Sequence, residues 1–335
     1  MKKIFTGFYG LICLMFLLST YGAAQGSEPL AQGVYYSISV ENDLFANRDK
    51  RYTSGVRFAA LGAQERLPGI FRRNLDRIPF FPEEGKKRFG FQIGQSMFTS
   101  DDITQKDPPE NERPYAGWTY TTMEVSSDTG TTLDQFQITL GVIGPPSLAE
   151  QSQKTVHKVI DSPDPKGWDT QLKTEPGIIL SYQRKWKAKR EFLDVAGFDF
   201  DFSPHVGGAL GNVFTHFAVG GIVRAGFDLP QDYGPPLISP SMAGSNFFVP
   251  TNTFGWYLFA GFEGRAVLRN IFLDGNTFRD SRSVSKKYFV GDIMGGAVIS
   301  FKRVRLAYTH VLRTREFKRQ DGKDTYGAVT LTARF

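Results

Sequence analysis

Short segments of this chain alternate between apolar and polar side chains, with a period of two. Val34, Tyr36, Ile38 and Val40 share one face of a first predicted strand, and Val56, Phe58 and Ala60 share a face of a second. Phe89, Phe91 and Ile93 mark another. Phe198, Phe200 and Phe202 alternate with Asp199 and Asp201. Trp256, Leu258, Ala260, Phe262, Gly264, Ala266 and Leu268 line one face of a longer segment, while Glu263 and Arg265 on its other face are spaced to pair. Val329, Leu331, Ala333 and Phe335 alternate with Thr330, Thr332 and Arg334. Period two is the signature of strands. One face carrying aromatics and the other carrying charge predicts strands that show lipid their apolar side and a lumen their polar side.

One segment breaks this pattern. Residues 147–161 place Leu148, Thr155, Val156, Val159 and Ile160 on one side of a helix, and Glu150, Gln153, Lys154, His157 and Asp161 on the other. Ser147 and Glu150 have the spacing of a capping box, and Pro163 and Pro165 stop the helix. A barrel does not need a helix between two strands, so this insertion asks for a purpose.

Composition changes the picture in two ways. The chain holds 35 glycines, 30 phenylalanines and 13 tyrosines, yet its mean hydropathy is only −0.27. Many aromatics with low average hydropathy suits a barrel, where only alternate residues meet lipid. The single cysteine, Cys13, falls in an N-terminal stretch with Lys2 and Lys3, an apolar run from Ile4 to Leu18 and the small residues Gly22, Ala23 and Ala24. That stretch is expected to be a Sec signal peptide, residues 1–24, leaving one barrel domain over residues 25–335 with no thiol. About 310 residues at roughly 10 per strand, plus turns and long loops, accommodate about 12 strands. The expectation is therefore an all-β, transmembrane antiparallel barrel with a short inserted helix. It would lie in a Gram-negative outer membrane, with a terminal aromatic strand of the kind that assembly machinery reads.

Charge adds less. The formal net charge is +6, of which Lys2 and Lys3 supply two. The basic residues are dispersed, which argues against nucleic acid and fits an anionic lipid surface. Pro230 to Pro240 is expected to be a solvent-exposed loop. No nucleophile elbow, zinc-protease helix, P-loop or EF-hand loop is present, which removes the usual soluble reaction classes.

The candidate chemistry is concentrated in four places. His157 lies on the polar side of the predicted helix, with Asp161 four residues on to accept its ring N–H. Glu41, Asn42 and Asp43 end the first strand, and Thr53 and Ser54 begin the second. Such a hairpin offers hard oxygen ligands for Ca²⁺ and an amide to stabilise an oxyanion. Arg113-Pro114-Tyr115-Ala116-Gly117-Trp118 supplies a guanidinium for a phosphate or carboxylate, and two candidate girdle aromatics. Gly167-Trp168-Asp169-Thr170-Gln171 follows the helix with a further carboxylate and amide.

Taken in order, these motifs, with Gly141-x-x-Gly144-Pro145 and the later Arg315-Glu316-Phe317, resemble the outer-membrane lipid A 3′-O-deacylase family. The resemblance spans most of the chain. It implies a 12-stranded barrel that hydrolyses the 3′-linked acyloxyacyl ester of lipid A with Ca²⁺ as cofactor. By position it makes His157 the base and Asn42-Asp43 an active-site pair. Asp161 and Asp164 are both candidates for the acidic residue after the histidine. The metal ligands it suggests are Asp43 and Asp164, and the substrate contacts are Arg113, Thr53 and Trp168. The nucleophile is water activated by His157, or Ser54. The expected partners are lipopolysaccharide and outer-membrane lipid, with the barrel acting as a monomer. Three rivals remain on sequence grounds: a phospholipase A-type barrel, a passive porin or adhesion barrel, and a soluble periplasmic β protein.

Overall fold

A computed structural model describes residues 33–43, 52–63, 85–188, 198–249 and 253–335, without the side chains of Tyr52 and Thr53. The predicted signal peptide lies outside these residues. The described residues form a closed barrel in which every strand pairs with its neighbour in sequence and the last pairs with the first. The strands are β1 (Tyr35–Asn42), β2 (Tyr52–Ala63), β3 (Lys86–Phe98), β4 (Ala116–Asp128), β5 (Thr132–Ile143), β6 (Glu175–Trp186), β7 (Asp199–Gly211), β8 (Phe214–Phe227), β9 (Phe254–Asn270), β10 (Phe289–Phe301), β11 (Val304–Arg313) and β12 (Asp324–Arg334). The pairing of β1 with β12 runs from Tyr35 opposite Arg334 to Asn42 opposite Gly327. Closure leaves no sheet edge, which is what hydrocarbon demands of a spanning sheet. Among the described residues no helix is long and apolar enough to cross a membrane.

The alternation sorts as expected. Tyr36, Phe58, Phe91, Phe200, Phe262 and Leu268 face outwards, while Ser37, Ser39, Arg57, Asp201, Glu263 and Arg265 are buried within the lumen. Outward aromatics gather near the end that carries the chain termini: Tyr36 on Phe335 at 5.8 Å, Phe198 on Phe227 at 4.3 Å, and Phe227 on Trp256 at 5.8 Å. Such a belt matches one membrane–water interface. The far end, here called distal, carries the β1–β2, β3–β4 and β5–β6 connections. In the outer-membrane setting expected from the sequence, the terminal end faces the periplasm and the distal end meets the outer leaflet.

The predicted exposed loop at Pro230 to Pro240 is instead folded into the lumen. Residues 228–249 leave the terminal end between β8 and β9 and turn inwards, burying Leu229, Tyr233, Leu237, Ile238, Phe247 and Phe248. Luminal side chains hold this plug through its backbone: Ile238 N–H donates to Glu41 at 2.6 Å, Arg57 donates to the Leu237 carbonyl at 3.0 Å, and Met242 N–H donates to Glu263 at 2.9 Å. Asp232 of the plug is gripped by Arg224 and Arg305. A polar lumen thus satisfies the backbone groups of an inserted loop, as buried backbone requires. A pocket between the plug and the lumen wall, bordered by Arg57, Trp118, His216 and Met242, has about 50 Å³, room for a few waters.

The inserted helix, α1 (Ala149–Ile160), is present in the β5–β6 connection, but its cap and its orientation differ from expectation. Leu148, at φ 58°, occupies the N-cap position without a side-chain cap. Ser147 donates to the Gly144 carbonyl at 2.6 Å within a preceding 3₁₀ turn, Pro145–Ser147, and Glu150 pairs with Lys154. No capping box forms, because the 3₁₀ turn takes the serine before the helix starts. The buried face is Ala149, Gln153 and His157, while Leu148 and Val159 are 58% and 61% exposed. In water this would be inside out. Beside a membrane Leu148, Val156 and Val159 can face lipid, with Gln151, Lys154 and Lys158 exposed among them, while Gln153 and His157 face the protein.

Candidate active site

The helix lies on the outside of the barrel, against β3 and β4. Two glycines let it approach. A Cβ on Gly117 would sit 2.1 Å from Ser147 Oγ and 2.4 Å from Ala149 Cβ, and one on Gly167 would sit 2.3 Å from the Tyr115 ring. Met97, Tyr115, Ala149 and Trp168 close around the contact as one buried cluster. The connection is tied to the wall by its backbone as well. Gly144 N–H donates to the Gly117 carbonyl at 3.0 Å, Leu172 N–H to the Tyr115 carbonyl at 2.8 Å, and Lys166 N–H to the Ile103 carbonyl at 2.8 Å.

Sheet register carries the site across the wall. Asn42 pairs with Ser54, Ser54 with Met97, and Met97 with Gly117. These four positions form one row on the outward face at the distal end, and the helix covers the row's Met97–Gly117 end. The β2–β3 ladder skips a residue between Tyr52 and Ser54, so Thr53 occupies a bulge. Bulges re-aim neighbouring side chains and cluster beside functional sites. Asp43 follows Asn42 at the strand end and is buried.

His157 is 4% exposed on the wall-facing side of α1. Its Nδ1 lies 2.6 Å from the Pro163 carbonyl. A carbonyl only accepts, so Nδ1 carries the proton and Nε2 is left as the basic nitrogen. One turn earlier, the Oε1 of Gln153 accepts from Trp168 Nε1 at 2.8 Å. Indole N–H only donates, which fixes the amide orientation and makes Nε2 the Gln153 donor. That buried Nε2 has no hydrogen-bond partner among the described residues. A base and an unspent donor therefore sit one turn apart on the same helix face.

A family model described as outer membrane protein LpxR matches residues 11–335. The chain belongs to the LpxR family. Its structure is similar to LpxR from Salmonella typhimurium, with a TM-score of 0.72 at 20% sequence identity, covering 90% of this chain and 100% of that one. It is more distantly similar to the β domain of the Bordetella autotransporter BrkA, with a TM-score of 0.43 at 8% identity over 90% and 99% of the two chains. The translocator domain of the autotransporter NalP from Neisseria meningitidis follows, with a TM-score of 0.35 at 10% identity over 98% and 97%. Among curated proteins none matches the sequence. The LpxR membership makes the protein an integral outer-membrane barrel and removes the soluble periplasmic rival.

Within this LpxR barrel the expected site residues divide. Asn42, Ser54 and the His157 helix share the outer wall at the distal end, with Asp43 next to Asn42. Asp161 does not orient the imidazole. It caps the helix C-terminus at φ 60° with its side chain exposed, and the Pro163 carbonyl takes the Nδ1 position. Asp164 is exposed beyond the helix. Arg113 is not presented to substrate: it is buried, paired with Glu316, and lies over the Phe98 ring. Burial alone would raise the Glu316 carboxyl, but the Arg113 and Arg313 guanidiniums beside it hold it below the usual carboxylate range. Trp168 is buried under the helix as a docking residue, not a substrate contact. Tyr115 and Trp118 are not girdle residues either. Tyr115 packs under α1, and Trp118 turns into the lumen and stacks on Tyr120 at 5.5 Å.

The Ca²⁺ expectation meets a thin donor set. Among the described residues no three His, Cys, Asp or Glu side chains gather to hold a metal. The hairpin residues 44–51, where further ligands would be sought, lie outside the described residues. The described side chains alone do not make a calcium cage, and no step below is routed through one. Gln153 was not singled out by sequence. Its signal was the four-residue spacing to His157 on the polar side of a lipid-bound helix.

Proposed function

We propose that this protein is a lipid A 3′-O-deacylase acting from the outer wall of its barrel. The observation that carries the proposal is the position of His157, Gln153, Asn42 and Ser54. They lie on the lipid side at the distal end, while the lumen is filled by residues 228–249. A substrate for such a site arrives through the outer leaflet rather than through a pore. The exposed apolar side of α1 gives acyl chains a surface to lie against.

In the proposed reaction His157 Nε2 takes a proton from water, and the water oxygen attacks the ester carbonyl carbon. Gln153 Nε2 and the Asn42 amide donate to the oxyanion that forms. The bond from the carbonyl carbon to the sugar oxygen then breaks, and the imidazolium returns its proton to that oxygen. The Pro163 carbonyl keeps the productive tautomer throughout. If Ser54 is the nucleophile instead, the same base takes the hydroxyl proton and an acyl-enzyme precedes hydrolysis. Ser54→Ala separates the two: retained turnover supports water, and abolished turnover supports serine.

Calcium dependence is part of the proposal. It rests on the side-chain oxygens of Asn42 and Asp43 at the β1 end, and when bound the cation would polarise the carbonyl. The test is to incubate the purified barrel with lipid A or phospholipid, in Ca²⁺ or chelator, and read products by mass spectrometry. Loss of the 3′ acyloxyacyl mass from lipid A alone, in Ca²⁺ alone, is the expected result. Release from phospholipid alone would support the phospholipase alternative, and release from neither would contradict both.

A further inference from the structure

The outer wall carries a second concavity, on the opposite side of the barrel from α1. Between β8, β9 and β10, near the distal end, a groove of about 730 Å³ opens to the lipid side. That is within the range of small-molecule sites, about 300–1,000 Å³. Its floor is made by missing side chains. Gly264 and Gly291 are direct partners across β9 and β10. A Cβ on Gly264 would come no nearer than 4.0 Å to a neighbouring atom, and one on Gly291 no nearer than 3.7 Å. Gly117 is needed because a helix presses on it; these two are not pressed by anything. What they do is keep a trough open. Phe217 and Phe289, 54% and 80% exposed, flank it.

The distal lip of the trough is cationic: Lys287, Arg315 and Lys323 line it together. Two of the neighbouring carboxylates are committed elsewhere, while Asp321 and Asp324 lie beside Lys323 in the chain. Glu316 is paired with Arg113, and Asp292 with Arg265 and Arg313, all buried inside. An apolar trough on the lipid side beneath a cationic lip suits an acylated lipid that carries phosphate, and lipid A, the substrate of the reading above, has several acyl chains and phosphates to offer both parts.

We propose that this groove binds a second molecule of lipid A, with one acyl chain in the Gly264–Gly291 trough and a phosphate under Lys287, Arg315 and Lys323. The site requires only the outer-membrane location. The count of two in the test below rests also on the deacylase reading.

The test uses the full barrel carrying His157→Ala, so that bound lipid is not consumed, titrated in detergent and counted by native mass spectrometry. The probes are lipid A, dephosphorylated lipid A and phosphatidylglycerol. Two lipid A molecules per barrel are expected. Two variants attack the site separately: K287E/R315E/K323E at the lip, and G264L/G291L in the trough. Each should weaken the second binding event at least tenfold while the first persists. In the background with His157 intact, acyl release by both variants should match the parent. Heat-modifiable gel mobility reports folding, and if one variant does not fold the other decides. A single lipid A in the parent that both variants lose would uphold the groove and count against lipid A at the His157 wall. Lipid A occupancy in a folded variant equal to the parent's would overturn the proposal. So would equal occupancy by phosphatidylglycerol or dephosphorylated lipid A. Occupancy and acyl release are separate readouts, so this proposal and the deacylase reading fail separately.

Discussion

The lumen and the outer wall over β1–β4 divide the molecule's polar groups in opposite ways. The lumen holds most of the charge. His205 lies 3.0 Å from Glu263, Glu263 also pairs with Arg265, and Arg265 and Arg313 each lie 2.9 Å from Asp292. These groups are buried, mutually satisfied and closed in by the plug. Among the described residues, buried polar atoms without a hydrogen-bond partner occur in both regions, among them Arg57 Nε, Arg305 Nε and His216 Nε2 inside and Gln153 Nε2 on the wall. The last sits one turn from the His157 base on a lipid-facing wall. The difference teaches that density of charge is a poor guide to chemistry in a barrel. A closed lumen needs paired charges to hold its filling, whereas a reactive site needs a base and a donor with nothing yet to do.

The comparison can be broken in either region. The largest effect is expected from Arg265→Ala, which takes from Glu263 and Asp292 the guanidinium they share and leaves them to His205 and Arg313 alone. Removing one partner of such a buried network costs about 3–5 kcal/mol. Urea unfolding should show it, while acyl release per folded barrel stays at the parent level. Gln153→Glu is expected to do the reverse. It keeps the acceptor for Trp168 and replaces the free donor, so stability should hold while turnover falls about 10²–10³-fold, as when one oxyanion donor is lost. Gly117→Leu forces Ser147 and Ala149 off the wall. A displacement of about 1 Å costs about 10²-fold in rate, and here turnover should fall that far with the barrel still heat-modifiable. Trp168→Phe removes one hydrogen bond beneath the helix, worth about 0.5–1.5 kcal/mol. It should lower turnover a few-fold, read in the same lipid A assay.

The barrel was legible in the sequence because a membrane enforces its period on every strand. Phe198, Phe200 and Phe202 had to share a face once Asp199 and Asp201 shared the other. The Glu263–Arg265 pair was legible for the same reason. The plug was not, since Pro230 to Pro240 reads locally as turn chemistry. Its signal was the apolar load of Leu229, Tyr233, Leu237, Ile238, Phe247 and Phe248, too heavy for a loop in water. The helix was visible by its period, but its sides exchange roles when lipid replaces water outside. Arg113 and Trp168 belong to residue types that bind ligands or pack equally well. Their partners, Glu316 and the α1 wall contact, are set by tertiary structure. The wall row of Asn42, Ser54, Met97 and Gly117 joins four strands by register, which no local window contains.

The central claim is that the chemistry sits outside the barrel. Two histidines put it to the sharpest test, His157 on the wall and His205 beside Glu263 in the lumen. Each is changed to alanine and assayed for release of the 3′ acyl group from lipid A, at equal folded protein. The account predicts that His157→Ala lowers release by about 10²–10⁴-fold, the usual contribution of a general base, and that His205→Ala leaves release near the parent rate. Full activity in His157→Ala, with loss in His205→Ala, would move the chemistry into the lumen and contradict the account.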